Sequence, residues 1–139
     1  MRFMIMVKAT ADSEAGVLPT EELASPMADY HEEMAAAGVL VDGSGLKPTS
    51  NGFRLKYAGD KRIVIDGPFT ETKEIIAGYS LIKVNSVEEA LYWFKRFPNP
   101  HNADCEIEMR QLYELDDFGP LESMDRFREL GMGGAEKKA

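Results

Sequence analysis

The chain predicts an α+β fold in the ferredoxin-like order β-α-β-β-α-β, with a β-hairpin inserted between the second and third strands of that order. Three observations lead there. Short apolar, β-favouring runs alternate with two stretches of helical periodicity. Both helices carry terminal signals, an N-cap at one end and glycine or proline at the other. The first and third strands are apolar on both faces, which suits the central positions that the ferredoxin-like order assigns them.

Taken in order, Arg2–Ala9 is short and apolar and runs out into the polar stretch Thr10–Gly16, a strand and its exit. The first helix is predicted from Ser25 as N-cap with Pro26 at its first position, because a proline deeper inside would leave the Glu22 carbonyl unpaired. It runs to Ala37, stops at Gly38, and turns Met27, Tyr30 and Met34 inward at spacings of three and four. Val39–Leu46 is the second strand, and Phe53–Tyr57 and Lys61–Ile65 flank Ala58-Gly59-Asp60 as a hairpin. Ile75–Val84 is the strongest strand. Ser86 and Glu89 form a capping box for the second helix, whose Val87, Leu91 and Phe94 are expected to face the core before Phe97-Pro98-Asn99-Pro100 ends it. Cys105–Tyr113 is the last strand. The domain so outlined covers residues 1–118. Residues 119–130 follow as a short helix or arm, with Leu121–Leu130 amphipathic, and 131–139 as a disordered tail.

Both helices are expected on one sheet face, and the other face is apolar too. In the first strand Met4 and Met6 oppose Phe3, Ile5 and Val7; in Ile75–Val84, Ile75, Ala77, Tyr79 and Leu81 oppose Ile76, Ile82 and Val84. Leaving such a face wet forfeits roughly 1.5–3 kcal/mol for each large side chain. A second copy packed sheet to sheet is the economical cover, which predicts a homodimer with Met4, Met6, Tyr79 or Leu81 near its interface. The alternative is that the hairpin and the C-terminal segment cover that face within one chain. In the last strand Ile107 and Met109 join the helix side, so Glu106, Glu108 and Arg110 fall opposite. There they either blunt a solvated edge or border the space between two sheets, where a guanidinium can hold a carboxylate or enolate with two hydrogen bonds.

Between the hairpin and the strongest strand lies Asp66-Gly67-Pro68-Phe69-Thr70-Glu71-Thr72-Lys73-Glu74. Asp-Gly-Pro is turn chemistry, with Asp66 expected to accept from backbone amides ahead of it. A turn does not need Glu71, Lys73 and Glu74 as well. The run resembles the signature of the DGPF proteins, a branch of the YCII-related superfamily. The resemblance covers roughly residues 1–118 and extends to Met1-Arg2-Phe3-Met4, Gly43-Ser44-Gly45-Leu46, Ile76-Ala77-Gly78-Tyr79 and Asp117-Phe118-Gly119. It implies a dimeric α+β barrel. It also implies an accessory role, through gene association with alternative sigma factors, while isomerases, lyases and dehydrochlorinases of similar barrels suggest proton-transfer chemistry. In the YCII-related branch a histidine proposed as the catalyst lies about three turns before the glycine that ends this helix. His31 lies two turns before Gly38, and the position a turn earlier is Met27, so that role does not transfer residue by residue.

Composition narrows the partners. The formal charge of −8 repels phosphate backbones, which argues against nucleic acid. One cysteine, Cys105, and two distant histidines, His31 and His101, form no recognisable metal set, and no cofactor is expected. No segment approaches a membrane span, so a cytoplasmic protein with no membrane partner is expected. No G-x-S-x-G, P-loop or dinucleotide fingerprint is present, which disfavours covalent hydrolase and nucleotide-dependent chemistry. Three classes stay open. The preferred one is a small-molecule-binding or regulatory accessory homodimer. The others are a cofactor-independent acid–base enzyme acting on a small anionic or aromatic substrate, and a structural or partner-binding module. The expected site lies between the last strand and the signature. Asp66, Glu74 and His31 are its proton-transfer candidates, and Arg110, Glu108, Lys73 and Tyr79 its ligand-binding candidates.

Overall fold

Alternating burial along Arg2–Lys8 makes this strand, β1, the middle of the molecule. The computed structural model describes residues 1–136. After β1 come a one-turn helix α1 (Ala11–Glu14), the long helix α2 (Glu21–Ala36), β2 (Leu40–Gly45), β3 (Phe53–Ala58), β4 (Lys61–Asp66) and β5 (Ile76–Lys83). Helix α3 (Val87–Lys95), β6 (Ile107–Gln111) and α4 (Ser123–Glu129) complete the chain. The main sheet has the order β2-β5-β1-β6 with each neighbour antiparallel, and β3 and β4 form a sheet of their own. With the hairpin set aside this is the ferredoxin-like arrangement, and the two strands that are apolar on both faces occupy its centre.

The core lies between the helices and one face of the sheet. Phe3, Ile5, Ile82 and Val84 from the strands meet Tyr30 and Met34 of α2 and Ala90 and Trp93 of α3, with Ile107 and Met109 packed at the margin. The Met27-Tyr30-Met34 stripe therefore points as its spacing predicts. Helix α3 is rotated from expectation. Its Ser86 cap accepts from the Glu89 amide and Phe94 packs against the core as expected, but Ala90 and Trp93 are the residues turned fully inward, while Val87 and Leu91 are exposed. Burying the large Trp93 indole sets the rotation, and one residue of helix phase is about 100°.

Helix α2 also starts earlier than predicted, at Glu21 after Thr20, with Pro26 inside it. Glu22 and Pro26 are both exposed, so water can satisfy the carbonyl that the proline leaves free. Leu23 and Met27, both half-buried, carry the packing across the break.

The Tyr30 hydroxyl donates to the Trp93 carbonyl at 2.5 Å and ties the two helices together. Burial pushes its pKa up to about 12; Arg96 opposes that shift and Glu33 adds to it. A phenol whose folded pKa lies above the usual value of about 10 stabilises the fold fully below pH 10. That contribution is lost as pH rises from about 10 to about 12. Denaturant melts across this range are expected to show a loss of stability that Tyr30→Phe, weaker at neutral pH, shows to a smaller degree.

The hairpin does not cover the open sheet face. Phe53, Leu55, Tyr57 and Val64 share one of its faces, Ile63 and Ile65 the other, and all six are exposed. The C-terminal segment reaches only one end of the open face. Leu115 and Met124 are buried there, and Arg2 holds Glu114 through Nε at 3.0 Å and Nη2 at 3.2 Å. Of the tail expected to be disordered, 137–139 lie outside the described residues. Residues 131–136 turn back onto the body, with the Gly133 backbone against Leu115.

Candidate functional site

The signature is fastened to the body through Thr49. The Glu14 carboxylate accepts from the Thr49 amide at 3.0 Å and from its hydroxyl, and that hydroxyl in turn accepts from the Phe69 amide at 2.9 Å. The Gly67 amide donates to the Gly52 carbonyl at 3.0 Å and closes the root of the hairpin. Gly67 also runs against Thr49 so closely that a Cβ there would lie 1.7 Å from the Thr49 carbonyl oxygen. Arg54 stacks its guanidinium over the Phe69 ring, 3.8 Å from its centre. The turn is thus held by backbone and by Thr49. Among the described residues the exposed Asp66 carboxylate has no hydrogen-bond partner, so the expected bond to the amides ahead of it is absent. Glu71, Lys73 and Glu74 are exposed as well and make no ion pair among the described residues.

On the open sheet face the register lines up two rows. Asp42, Leu81, Met4 and Arg110 form one, and Ser44, Tyr79, Met6 and Glu108 the next. The centre is apolar and both margins are polar. Met6 is buried by its neighbours, whereas Met4, Tyr79 and Leu81 remain half-buried. The Tyr79 hydroxyl donates to Asp42 at 3.2 Å, and Lys8 pairs with Glu108 at 3.7 Å. Arg110 is exposed and, among the described residues, has no ion-pair partner.

On the other face His31 stands over the strand. Its Nδ1 lies 2.7 Å from the Met27 carbonyl and its Nε2 lies 2.6 Å from Ser80 Oγ. A carbonyl can only accept, so in the neutral imidazole Nδ1 carries the proton and the Ser80 hydroxyl donates to the lone pair on Nε2. Ser80 is 3% exposed, and its sheet neighbour on the same face is Gly43, which leaves the hydroxyl low beneath the ring. Tyr30 and Phe97 meet the imidazole edge-on, at 5.5 Å and 6.0 Å between ring centres. The pair resembles the base-and-hydroxyl half of a nucleophilic site, yet the hydroxyl is sealed by the histidine that would activate it.

The expected residues therefore fall in three places. Arg110, Glu108 and Tyr79 share the open face. Asp66, Lys73 and Glu74 lie on the signature, which re-enters the sheet at the level of Lys8. Arg110 stands at the level of Met4, on the other side of β1, about 15 Å away by strand spacing. His31 is on the opposite face, as its helix dictates. Ser80, Thr49 and Glu14 escape a reading of the sequence. Of these Ser80 is detectable, as a hydroxyl at a core-facing position that must find a partner. Among the described residues no group of three or more His, Cys, Asp or Glu is placed to hold a metal ion, and no helix is long and apolar enough to cross a membrane.

Comparison with known proteins agrees with the fold. A curated relative, the uncharacterized protein R00369 of Rhizobium meliloti (strain 1021), is 32% identical over 92 residues, which is 66% of this chain and 74% of that protein. The model of the YCII-related domain matches residues 1–115. The chain belongs to the YCII-related domain family.

Proposed function

We propose that the protein is a homodimer that binds a small anionic or aromatic molecule between the open faces of its two sheets, and that it acts as an accessory or regulatory binder. One observation carries this reading: an apolar strip of Met4, Tyr79 and Leu81 is bordered by an exposed Arg110 that has no ion-pair partner among the described residues. Apolar surface in the centre of a sheet calls for a cover, and a cation at its margin suits an anion that must leave water to enter the same space. Tyr79 would supply a ring to stack on and Glu108, already tied to Lys8, would position the margin. Light scattering is expected to give a dimer at micromolar concentration. A thermal-shift screen of carboxylated and aromatic metabolites is expected to return a stabilising ligand. Arg110→Met should weaken that ligand at least roughly tenfold, the scale of one lost charge-assisted pair. Wild-type affinity in the variant would rule out the assigned role of Arg110.

The His31–Ser80 pair favours a second reading, a cofactor-independent acid–base enzyme. Its imidazole is held in one tautomer with Nε2 as the basic nitrogen, as proton transfer requires. Deuterium uptake from solvent into a bound ligand, lost in His31→Asn while binding persists, would favour the enzyme over the binder.

A further inference from the structure

The β3–β4 hairpin forms a sheet of its own and holds apolar side chains in water. Opposed residues of an antiparallel pair share a face, so Phe53, Leu55 and Tyr57 lie together with Asp66, Val64 and Arg62. The other face carries Arg54, Lys56 and Lys61 with Ile63 and Ile65. There Arg54 stacks over Phe69 of the signature, so the root of that face meets its own chain. The first face is the open one, with Phe53 71% and Tyr57 67% exposed. An isolated two-stranded hairpin is marginal in water, and such a face calls for a partner.

The order of side chains along this face points to its occupant. Arg62 stands beside Tyr57 toward the tip and Asp66 beside Phe53 at the root, four residues or about 14 Å apart along β4. Both are exposed, and neither forms an ion pair among the described residues. Leu55 and Val64 lie opposite each other, midway between them. A face that runs from cation through apolar centre to anion complements itself when a second copy is reversed over it. A two-fold axis across the strands, at the level of Leu55 and Val64, sets Arg62 of each copy over Asp66 of the other. The same axis sets Phe53 over Tyr57, and brings Leu55 and Val64 against their own counterparts.

Other ways of stacking two hairpins fail on charge or on space. An axis along the strands sets Phe53 over Asp66 and gathers both carboxylates at one end and both guanidinium groups at the other. It also puts two molecular bodies at the same end, because each hairpin is rooted through the Gly67 amide on the Gly52 carbonyl. The reversed stack puts the bodies at opposite ends. Pairing through the other face brings Arg54, Lys56 and Lys61 of one copy against the same three cations of the next.

We infer that the apolar face of the hairpin docks on the same face of a second copy of this chain, reversed about a two-fold axis at Leu55 and Val64. The contact lies apart from the open sheet face and does not rest on the reading of that face. Strands of six residues make a small interface, so the contact is measured at about 100 μM chain. The test uses two full-length variants, Arg62→Asp and Asp66→Arg, alone and mixed, in sedimentation velocity. The first has carboxylates at both ends of the face and the second has guanidinium groups at both, so each repels a copy of itself. In the mixture each supplies the charge that the other lacks. Association in the mixture is expected to be at least roughly tenfold tighter than in either variant alone. A mixture no more associated than its components overturns the inference. If those components are stable dimers, the open-face homodimer still stands; if they are monomers, it fails as well. As a second measurement, Arg62→Lys chains with and without nitrogen-15 are mixed and treated with a zero-length carbodiimide. A mixed-label link between position 62 and Asp66 is the expected product, because the two are about 14 Å apart within one chain. Mixed-label links that avoid this pair, or none at all, reject the docking.

Discussion

Gly67→Ala is expected to lower stability by about 2–4 kcal/mol, the upper range for forcing extra volume into a closed contact. The added methyl would overlap the Thr49 carbonyl oxygen, and that oxygen belongs to backbone which cannot swing aside like a side chain. Thr49 is also the residue that fastens Glu14 and the Phe69 amide, so any shift that relieves the clash disturbs those bonds as well. Asp66→Ala, one residue away, is expected to change stability by less than about 0.5 kcal/mol, as usual for an exposed side chain without a partner. A pair of urea melts checks both. Equal midpoints for the two variants would show that the close approach is not part of the folded protein.

The second large effect is an asymmetry between two partners. His31→Leu leaves the buried Ser80 hydroxyl without its acceptor, at a cost of about 1–3 kcal/mol. Ser80→Ala leaves only a nitrogen on a half-buried ring that water can reach, so its cost is expected to stay below about 1 kcal/mol. In the double variant the orphaned group is gone, and about 1 kcal/mol or more of the His31→Leu loss should return. A double-mutant cycle by denaturant melting measures this coupling. Additive losses would mean that the hydroxyl has found another acceptor.

Alternation makes the sheet legible. Because Phe3 and Ile5 oppose Met4 and Met6, and Ile82 and Val84 oppose Tyr79 and Leu81, residue parity by itself assigns the two central strands and their faces. Periodicity is a weaker guide to helix ends. Pro26 reads as a start because a free carbonyl is costly when buried, and it lies inside α2 because that carbonyl is exposed. In α3 several residues compete to face the core, and only the bulk of Trp93 decides among them. The site is less legible for a physical reason. Glu14, Thr49 and Phe69 are joined across 35 and 20 residues, and such contacts leave no periodic trace in a chain. Strand parity does put Arg110 and Glu108 on the open face, where they stand. Their distance from the signature depends on register, which parity does not supply.

The bond between Gly52 and Gly67 has a consequence for the history and engineering of the fold. Residues that are already in contact at the root can be joined directly, so the hairpin is topologically an insertion whose removal would break no strand of the main sheet. Its length is nearly neutral for chain entropy, since doubling a closed loop costs only about 0.6 kcal/mol. The appendage can therefore be lengthened, shortened or regrafted in steps of paired residues while the main sheet keeps its register.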